Sequence, residues 1–344
     1  MSHQVYLPEG RKRFEVAQGE SVLQAGLRQH LALPFGCQSG ACGSCRVRCT
    51  AGEVEYPFAP PALSQAEIEA GYILMCLAQP RSDLTLDLHQ PAQLETLRPR
   101  ELPCRVQEHH ALTHDVIGLT LKLPKASGES AAFNYLPGQY IDFLLEDGRR
   151  RSFSLANPPN GEFIELHLRL TPGGRFAQWV VNEMPARAIL RFEGPLGAFY
   201  VREDSSRPML MMAGGTGFAP IGAMIEHQLA RGGERPIHLY WGVRSQRDLY
   251  LQERIGRWLA EHPQRFSYTP VLSEPDADWQ GERGFVHHAL LRRHPDLHLH
   301  EVYMSGPPVM VRTGKQAFAR AGLDADHMYY DSFDYAFETW PSLG

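Results

Sequence analysis

Three rhythms of apolar and polar residues follow one another along the chain. From Leu102 to about Glu203, apolar residues recur at alternate positions in short runs, such as Val116 to Leu123 (VIGLTLKL) and Phe163 to Leu170 (FIELHLRL). Turn residues separate these runs, so this region predicts the strands of a β-barrel or sandwich. From Arg207 onward the rhythm changes. Met209-Leu210-Met211-Met212-Ala213 is a continuous apolar strand, and Ile221, Met224, Ile225 and Leu229 then recur at helical spacing. A second apolar strand follows, Ile237 to Trp241. Such alternation predicts a parallel sheet with crossover helices. Ahead of both lies a region ending near residue 90. The stretch Gln90-Pro91-Ala92 through Leu97-Arg98-Pro99-Arg100, with few aliphatic residues, reads as a linker. The expected domains are therefore 1–91, 102–204 and 205–344.

Composition agrees with ordinary folded domains. The 344 residues suggest two or three of them, and 43% hydrophobic residues suffice for their cores. The formal charge of −5 is spread through an interspersed pattern with no basic stripe for nucleic acid. No apolar run approaches the roughly 20 residues that span a bilayer. The polar start, Met1 to Arg13, carries no signal-peptide core, so the expected location is the cytoplasm.

Cysteine placement changes the picture most. Of 6 cysteines, Cys37, Cys42, Cys45 and Cys49 crowd together, and Cys76 and Cys104 stand apart. The core reads PFGCQSGACGSC, with C-x4-C-x2-C spacing from Cys37 to Cys45 and Cys76 further on. This is the plant-type [2Fe–2S] spacing. A compact loop must aim three thiolates at one small cluster, and Gly36, Gly40 and Gly43 allow tight turns that point N–H groups at sulfur. A four-cysteine zinc site is the rival, but it usually has two C-x2-C pairs and here there is one. Cys49 and Cys104 fall outside the pattern. On these residues the first region resembles a plant-type ferredoxin domain, a β-grasp fold. That resemblance implies a first hairpin from Gln4–Leu7 and Phe14–Val16, and a helix Val22–Gln29 capped by Ser21.

The middle region carries Leu136-Pro137-Gly138-Gln139-Tyr140, Arg151-Ser152-Phe153-Ser154, Leu168-Arg169-Leu170 and Gly173-Gly174-Arg175-Phe176. The set resembles the flavin domain of the ferredoxin–NADP reductase superfamily, an antiparallel β-barrel with an Arg-x-Tyr-Ser strand and a later glycine turn. The resemblance implies that Arg151 meets a diphosphate through forked, charge-assisted bonds, that Phe153 packs along the flavin, and that Ser154 faces its N5 edge. Ser152, Leu168, Arg169, Gly174, Arg175 and Phe176 complete the implied site. Phe153 replaces the family tyrosine, and Ala177 stands where the family has Ser or Thr. FAD is expected in preference to FMN.

The last region carries Gly214-Gly215-Thr216-Gly217-Phe218-Ala219-Pro220 between a strand and a helix, a design that cradles phosphate at a helix start. Together with Ser305-Gly306-Pro307-Pro308-Val309-Met310 it resembles the nicotinamide domain of the same superfamily, an α/β fold with a parallel sheet. Gly215, Thr216, Gly217, Pro220, Gly306, Pro307 and Met310 are the implied binding residues. Ser305 stands where relatives often have Cys beside the nicotinamide. Glu274 would repel a 2′-phosphate and hydrogen-bond a free 2′-hydroxyl, favouring NADH, whereas Arg244 and Arg247 argue mildly the other way. Among the terminal aromatics Tyr329, Tyr330, Phe333, Tyr335, Phe337 and Trp340, Phe333 is the candidate to cover the flavin face. The catalytic set is Ser154, Ser305 and Phe333.

The order cluster, flavin, nicotinamide resembles single-chain reductases of bacterial oxygenases and of the CDP-4-keto-6-deoxyglucose pathway. The resemblance implies electron flow from NADH through FAD and the cluster to a partner enzyme. A terminal oxygenase is the first expectation for that partner, and a nucleotide-sugar dehydrase is the second. A non-catalytic redox-sensing module is a third reading; it would need a disabled flavin or nicotinamide site, and no lost glycine or arginine suggests one.

Overall fold

The computed structural model describes all residues except 1, 9–11, 30, 32, 89–93, 95–96, 126–132 and 334–344. Part of the linker and the aromatics Tyr335, Phe337 and Trp340 thus lie outside the described residues. The chain forms two compact units. One comprises Met1–Arg100 with Gly194–Phe199, and the other comprises Glu101–Glu193 with Tyr200–Gly344.

In the first unit, β1 (His3–Tyr6) and β2 (Arg13–Val16) form an antiparallel hairpin. Ser21 then caps α1 (Val22–Arg28) through a reciprocal capping box with Gln24. β3 (Arg46–Ala51), β4 (Val54–Glu55), α2 (Gln65–Glu69), β5 (Tyr72–Leu74), β6 (Gln79–Pro80) and β7 (Leu84–Asp87) complete it. The sheet order is β2-β1-β7-β3-β5, with β1 and β7 parallel and the other pairs antiparallel. This mixed sheet, packed by α1, is the β-grasp arrangement. Val5, Phe14, Val16, Val22, Leu23 and Leu84 fill its core.

A six-stranded sheet follows, which lies in the second unit except for Arg100 and Gly194–Leu196 at two strand ends. Its strands are β8 (Arg100–Ala111), β9 (Val116–Lys122), β10 (Tyr140–Leu144), β11 (Arg150–Ser154), β12 (Phe163–Arg169) and β13 (Ile189–Leu196), with α3 (Arg175–Asn182) before the last. The order is β11-β10-β13-β8-β9-β12, and a bridge from Leu155 to Leu166 links its two ends into a barrel. Alternation sends Leu119, Leu121, Ile141, Phe143, Ile164, Leu166 and Leu168 into the barrel core.

The remaining strands are all parallel: β14 (Met209–Gly214), β15 (Ile237–Val243), β16 (Phe266–Leu272), β17 (Glu282–Arg283), β18 (Glu301–Gly306) and β19 (Met328–Ser332). Helices α4 (Phe218–Ala230), α5 (Gln252–Glu261), α6 (Val286–Arg293) and α7 (Pro308–Arg320) connect them. The order β17-β16-β15-β14-β18-β19 reverses direction at β14. A ligand cleft belongs beyond the carboxyl ends of the strands at such a reversal. Every residue of β14 and β18 is buried, which explains the unbroken apolar run in β14.

Candidate functional site

The cysteine loop folds around its own sulfurs. The N–H of Cys37 donates to Cys42 Sγ at 3.3 Å, and the N–H of Cys42 donates back to Cys37 Sγ at 3.2 Å. Ser39 and Ser44 add N–H bonds to the same two sulfurs at 3.4 Å each. Gln38 and Gly40 hold positive φ values of 57° and 80°, which turn the chain sharply enough for this. A Cβ on Gly36 would stand 3.0 Å from Cys42 Sγ, so the backbone is pressed against the thiol. The free thiols of Cys45 and Cys76 share a side-chain hydrogen bond, so the four candidate ligands fall into two neighbouring pairs. A bond from Cys42 pulls Cys37 down to about 5, and a bond from Cys45 likewise lowers Cys76. The same bonds, together with burial, push the partner thiols Cys42 and Cys45 up. Four neighbouring thiols, two of them served by backbone N–H groups, are a donor set that fits a [2Fe–2S] cluster. By contrast, the buried Cys104 thiol is pushed up to about 12 by burial, and Cys49 Sγ donates to the Ala51 carbonyl.

On the barrel, β11 pairs with β10 so that Arg151 stands opposite Phe143 and Phe153 opposite Ile141. Arg151 Nη1 also donates to the Arg150 carbonyl at 2.8 Å. Phe153 packs on Phe143 and Phe176, with centroids 5.9 and 5.3 Å away. Ser152 points to the other face and donates to the buried Asp142 at 2.5 Å. After Gly173 and Gly174, α3 starts at Arg175 with no side-chain cap, so its first N–H groups can serve an anion. A Cβ on Gly174 would meet Thr171 Oγ1 at 2.5 Å, which keeps the turn bare. This barrel edge suits a flavin diphosphate. Leu168 lies within the barrel core, while its neighbour Arg169 faces out.

Beyond the parallel strands lie two adjoining clefts of about 330 and 480 Å3, and Asp115, Arg169, Arg244 and Asp248 line both. Gly214, Gly215 and Thr216 line the first, together with Pro307 and Met310, which pack against Gly214. The N–H-rich turn Gly215–Gly217 leads into α4, whose start also lacks a side-chain cap. Pro220 sits in its first turn, where a missing N–H costs nothing. The second cleft brings Glu274 together with Arg244 and Arg247. A volume of several hundred Å3 behind a bare glycine turn suits a dinucleotide.

Asp331, which no sequence motif marks, relates Ser154 to Ser305, and Phe333 is tied to the end of the same strand as Ser305. Ser154 Oγ donates to Asp331 Oδ2 at 3.4 Å, and Asp331 stands beside Ser305 in the β18–β19 register. Phe333 N–H donates to the Gly306 carbonyl at 3.0 Å. Ser305 is fully buried, and its hydroxyl has no hydrogen-bond partner among the described residues. The cleft adds Asp115, Tyr250 and the exposed ring of Phe285, also unforeseen. Asp115 holds Arg169 by two bonds, Nε at 2.9 Å and Nη2 at 2.8 Å.

A thiolate loop, a barrel with a bare glycine turn and a parallel sheet with a dinucleotide-sized cleft define an iron–sulfur flavoprotein oxidoreductase. Family models agree along the chain: the 2Fe-2S iron-sulfur cluster binding domain matches residues 7–81, the oxidoreductase FAD-binding domain 103–200 and the oxidoreductase NAD-binding domain 211–316. The chain is 36% identical over 314 residues to a CDP-6-deoxy-L-threo-D-glycero-4-hexulose-3-dehydrase reductase of Yersinia pestis, covering 91% of this chain and 93% of that protein. It is 33% identical to terephthalate 1,2-dioxygenase reductase component 1 of Comamonas sp, covering 97% and 98%. The crystal structure of the Amycolatopsis cytochrome P450 reductase GcoB superposes with a TM-score of 0.76 at 32% identity, covering 96% and 98%.

The chain belongs to the single-chain ferredoxin–FAD–NAD reductases of the ferredoxin–NADP reductase superfamily. It is an NADH-dependent reductase that uses FAD and a [2Fe–2S] cluster to transfer electrons. Among the described residues, no helix is long and apolar enough to cross a membrane.

Proposed function

We propose that this chain is the reductase component that feeds a separate terminal oxygenase. One geometric observation supports delivery to a separate protein: Gln38, Ser39 and Ala41 are exposed at the tip of the loop whose Cys42 and Cys45 are buried. An acceptor protein can therefore approach the thiolates closely without the loop opening. Whole-chain likeness to a P450 reductase and to a dioxygenase reductase supports the same reading.

In this reading residues 1–91 form the cluster domain, with Cys37, Cys42, Cys45 and Cys76 as ligands. Residues 102–204 hold FAD. Arg151 and the start of α3 at Gly174–Phe176 take its diphosphate, Phe153 and Phe176 wall its ring, and Ser154 faces its reactive edge. Residues 205–344 hold NADH. Gly215, Thr216 and Gly217 meet its diphosphate, Arg244 and Glu274 its adenosine end, and Met310 its nicotinamide end. Ser305 and Phe333 border the transfer point. When bound, FAD takes electrons as a pair and releases them singly, which links a hydride donor to a one-electron cluster. The protein's own part is to align donor and acceptor and to exclude water. The cytoplasm, which supplies NADH and keeps thiols reduced, is the proposed location.

The experiment is reconstitution of the holoprotein with the purified terminal oxygenases of its own host. NADH-dependent product formation is expected, and its absence with a folded, active oxygenase rejects the assignment. A second reading, a nucleotide-sugar dehydrase as acceptor, is favoured by the 36% identity to the Yersinia dehydrase reductase. NADH-driven dehydrase turnover in the same assay would transfer the assignment there.

A further inference from the structure

The outward face of β12 carries Glu165, His167 and Arg169 in alternation with the core leucines. Arg169 reaches the cleft directly, but His167 does not. Its side chain is only 1% exposed, an unusual place for an imidazole without a task. His167 Nε2 lies 3.2 Å from Glu165 Oε1, and His167 Nδ1 lies 3.1 Å from the Tyr250 hydroxyl. A carboxylate can only accept, so Nε2 carries the proton and Nδ1 accepts from the Tyr250 hydroxyl. Burial holds His167 below the usual histidine range and keeps it neutral. Burial also pushes the Glu165 carboxyl up, but the bond from His167, the charge His167 carries when protonated and the charge of Arg254 outweigh it and hold Glu165 below the usual carboxylate range. Arg254, on α5, donates to the second Glu165 oxygen at 3.3 Å.

Tyr250 is the far end of this relay, and it lines the first cleft. Its ring meets Trp241 edge-on, with centroids 4.9 Å apart at 89°. Trp241 stacks on Phe218, the first residue of α4, at 4.1 Å. Trp241 Nε1 in turn donates to the Gly215 carbonyl at 2.9 Å. The tyrosine therefore wedges the aromatic pair that supports the glycine turn. With its hydroxyl committed to His167, the ring keeps one orientation and offers the cleft an apolar edge.

We propose that His167 is a positioning residue for the nicotinamide dinucleotide: the Glu165–His167–Tyr250 relay, anchored on a barrel strand, fixes the cleft wall made by Tyr250, Trp241 and the Gly215–Gly217 turn. The proposal rests on the reading that this cleft takes NADH. It makes nucleotide affinity depend on a side chain that never touches the nucleotide. A packing role alone would depend on the ring of Tyr250 and not on its oxygen.

The test is a double-mutant cycle on the FAD-loaded full chain, with NAD+ as the calorimetric probe. The proteins are wild type, Tyr250→Phe, His167→Phe and the double variant, each with its Tm. Tyr250→Phe removes one oxygen and keeps the packing, so it reports even where His167→Phe folds poorly. Each single variant is expected to raise the NAD+ Kd roughly 5- to 30-fold, the range for losing one buried hydrogen bond. The double variant should be no weaker than the weaker single, because both break the same relay. The KM for NADH should rise with kcat largely kept. A Tyr250→Phe Kd within about twofold of wild type, or additive singles, overturns the proposal. Failure of folded, FAD-loaded wild type to bind NAD+ at all would instead overturn the reading of the cleft, and the proposal would fall with it.

Discussion

The backbone carbonyl of Ser305 closes the space beside Gly217: a Cβ built on that glycine would stand 2.0 Å from the carbonyl oxygen and 2.4 Å from its carbon. Both atoms belong to backbone, so neither can swing aside. The glycine turn after β14 is thereby seated against the end of β18. Gly217→Ala should therefore lower stability by about 1–3 kcal/mol, the usual cost of overpacking. It should also raise the KM for NADH at least about tenfold, because the turn must lift from its seat. Thermal unfolding and steady-state kinetics on one preparation check both.

Cys76 is the ligand candidate farthest along the chain from the cysteine loop. Cys76→Ser should abolish the iron–sulfur absorption and the reduced-cluster EPR signal while the flavin spectrum persists. NADH-dependent ferricyanide reduction should survive, and delivery to a one-electron acceptor protein should fall at least about 100-fold. Retention of a normal cluster signal would remove Cys76 from the ligand set.

Glu274 shares the second cleft with Arg244 and Arg247. Replacing its charge should relieve repulsion of a 2′-phosphate and leave the two arginines to attract it. Glu274→Ser should raise kcat/KM for NADPH about 10-fold and lower that for NADH a few-fold. Unchanged cofactor preference would disconnect Glu274 from the ribose.

Stability should fall in mild acid. Burial, with the charge of Arg293, pushes His238 down to about 3, and burial also lowers His167. Both folded values lie below the unfolded value of about 6.5, so the unfolded chain binds more protons in between. This contribution is complete above pH 6.5 and is lost as pH falls toward the folded values. Each such histidine adds a slope of up to about 1.4 kcal/mol per pH unit. Urea unfolding between pH 7 and 5, above the range of most carboxylates, measures the slope. His238→Phe should make it shallower, at the cost of the 2.8 Å contact between His238 Nε2 and Thr269 Oγ1.

Local features were the legible ones. The thiolate loop is readable because three of its cysteines fall between Cys37 and Cys45, so their spacing is itself the geometry. The long alternating runs and the apolar β14 reveal their strands because burial imposes a period, and Ser21 reveals a helix start because a cap is set by sequence neighbours. The cleft walls are different. Asp115 reaches Arg169 because β12 pairs with β9 in a register that sets Arg169 opposite Val116. Tyr250 and Asp331 arrive from elements far along the chain, and no spacing rule announces them. Leu168 and Arg169 are adjacent in sequence yet face opposite ways, a distinction that strand alternation makes and a motif does not. His167 looks like an ordinary outward residue of an alternating strand until its neighbours across the fold are known.

The segment Gly194–Phe199 belongs to the same compact unit as Met1–Arg100, and there Ala198 N–H donates to the Phe35 carbonyl at 2.9 Å. Phe35 stands two residues before Cys37. An N-terminal fragment cut at Arg100 would therefore be missing a piece of its own body, and would leave an amide acceptor unanswered next to the thiolate loop. Gene dissection that follows the order of the motifs would split this unit, and a graft of the electron outlet onto another scaffold would have to bring a stand-in for those six residues with it.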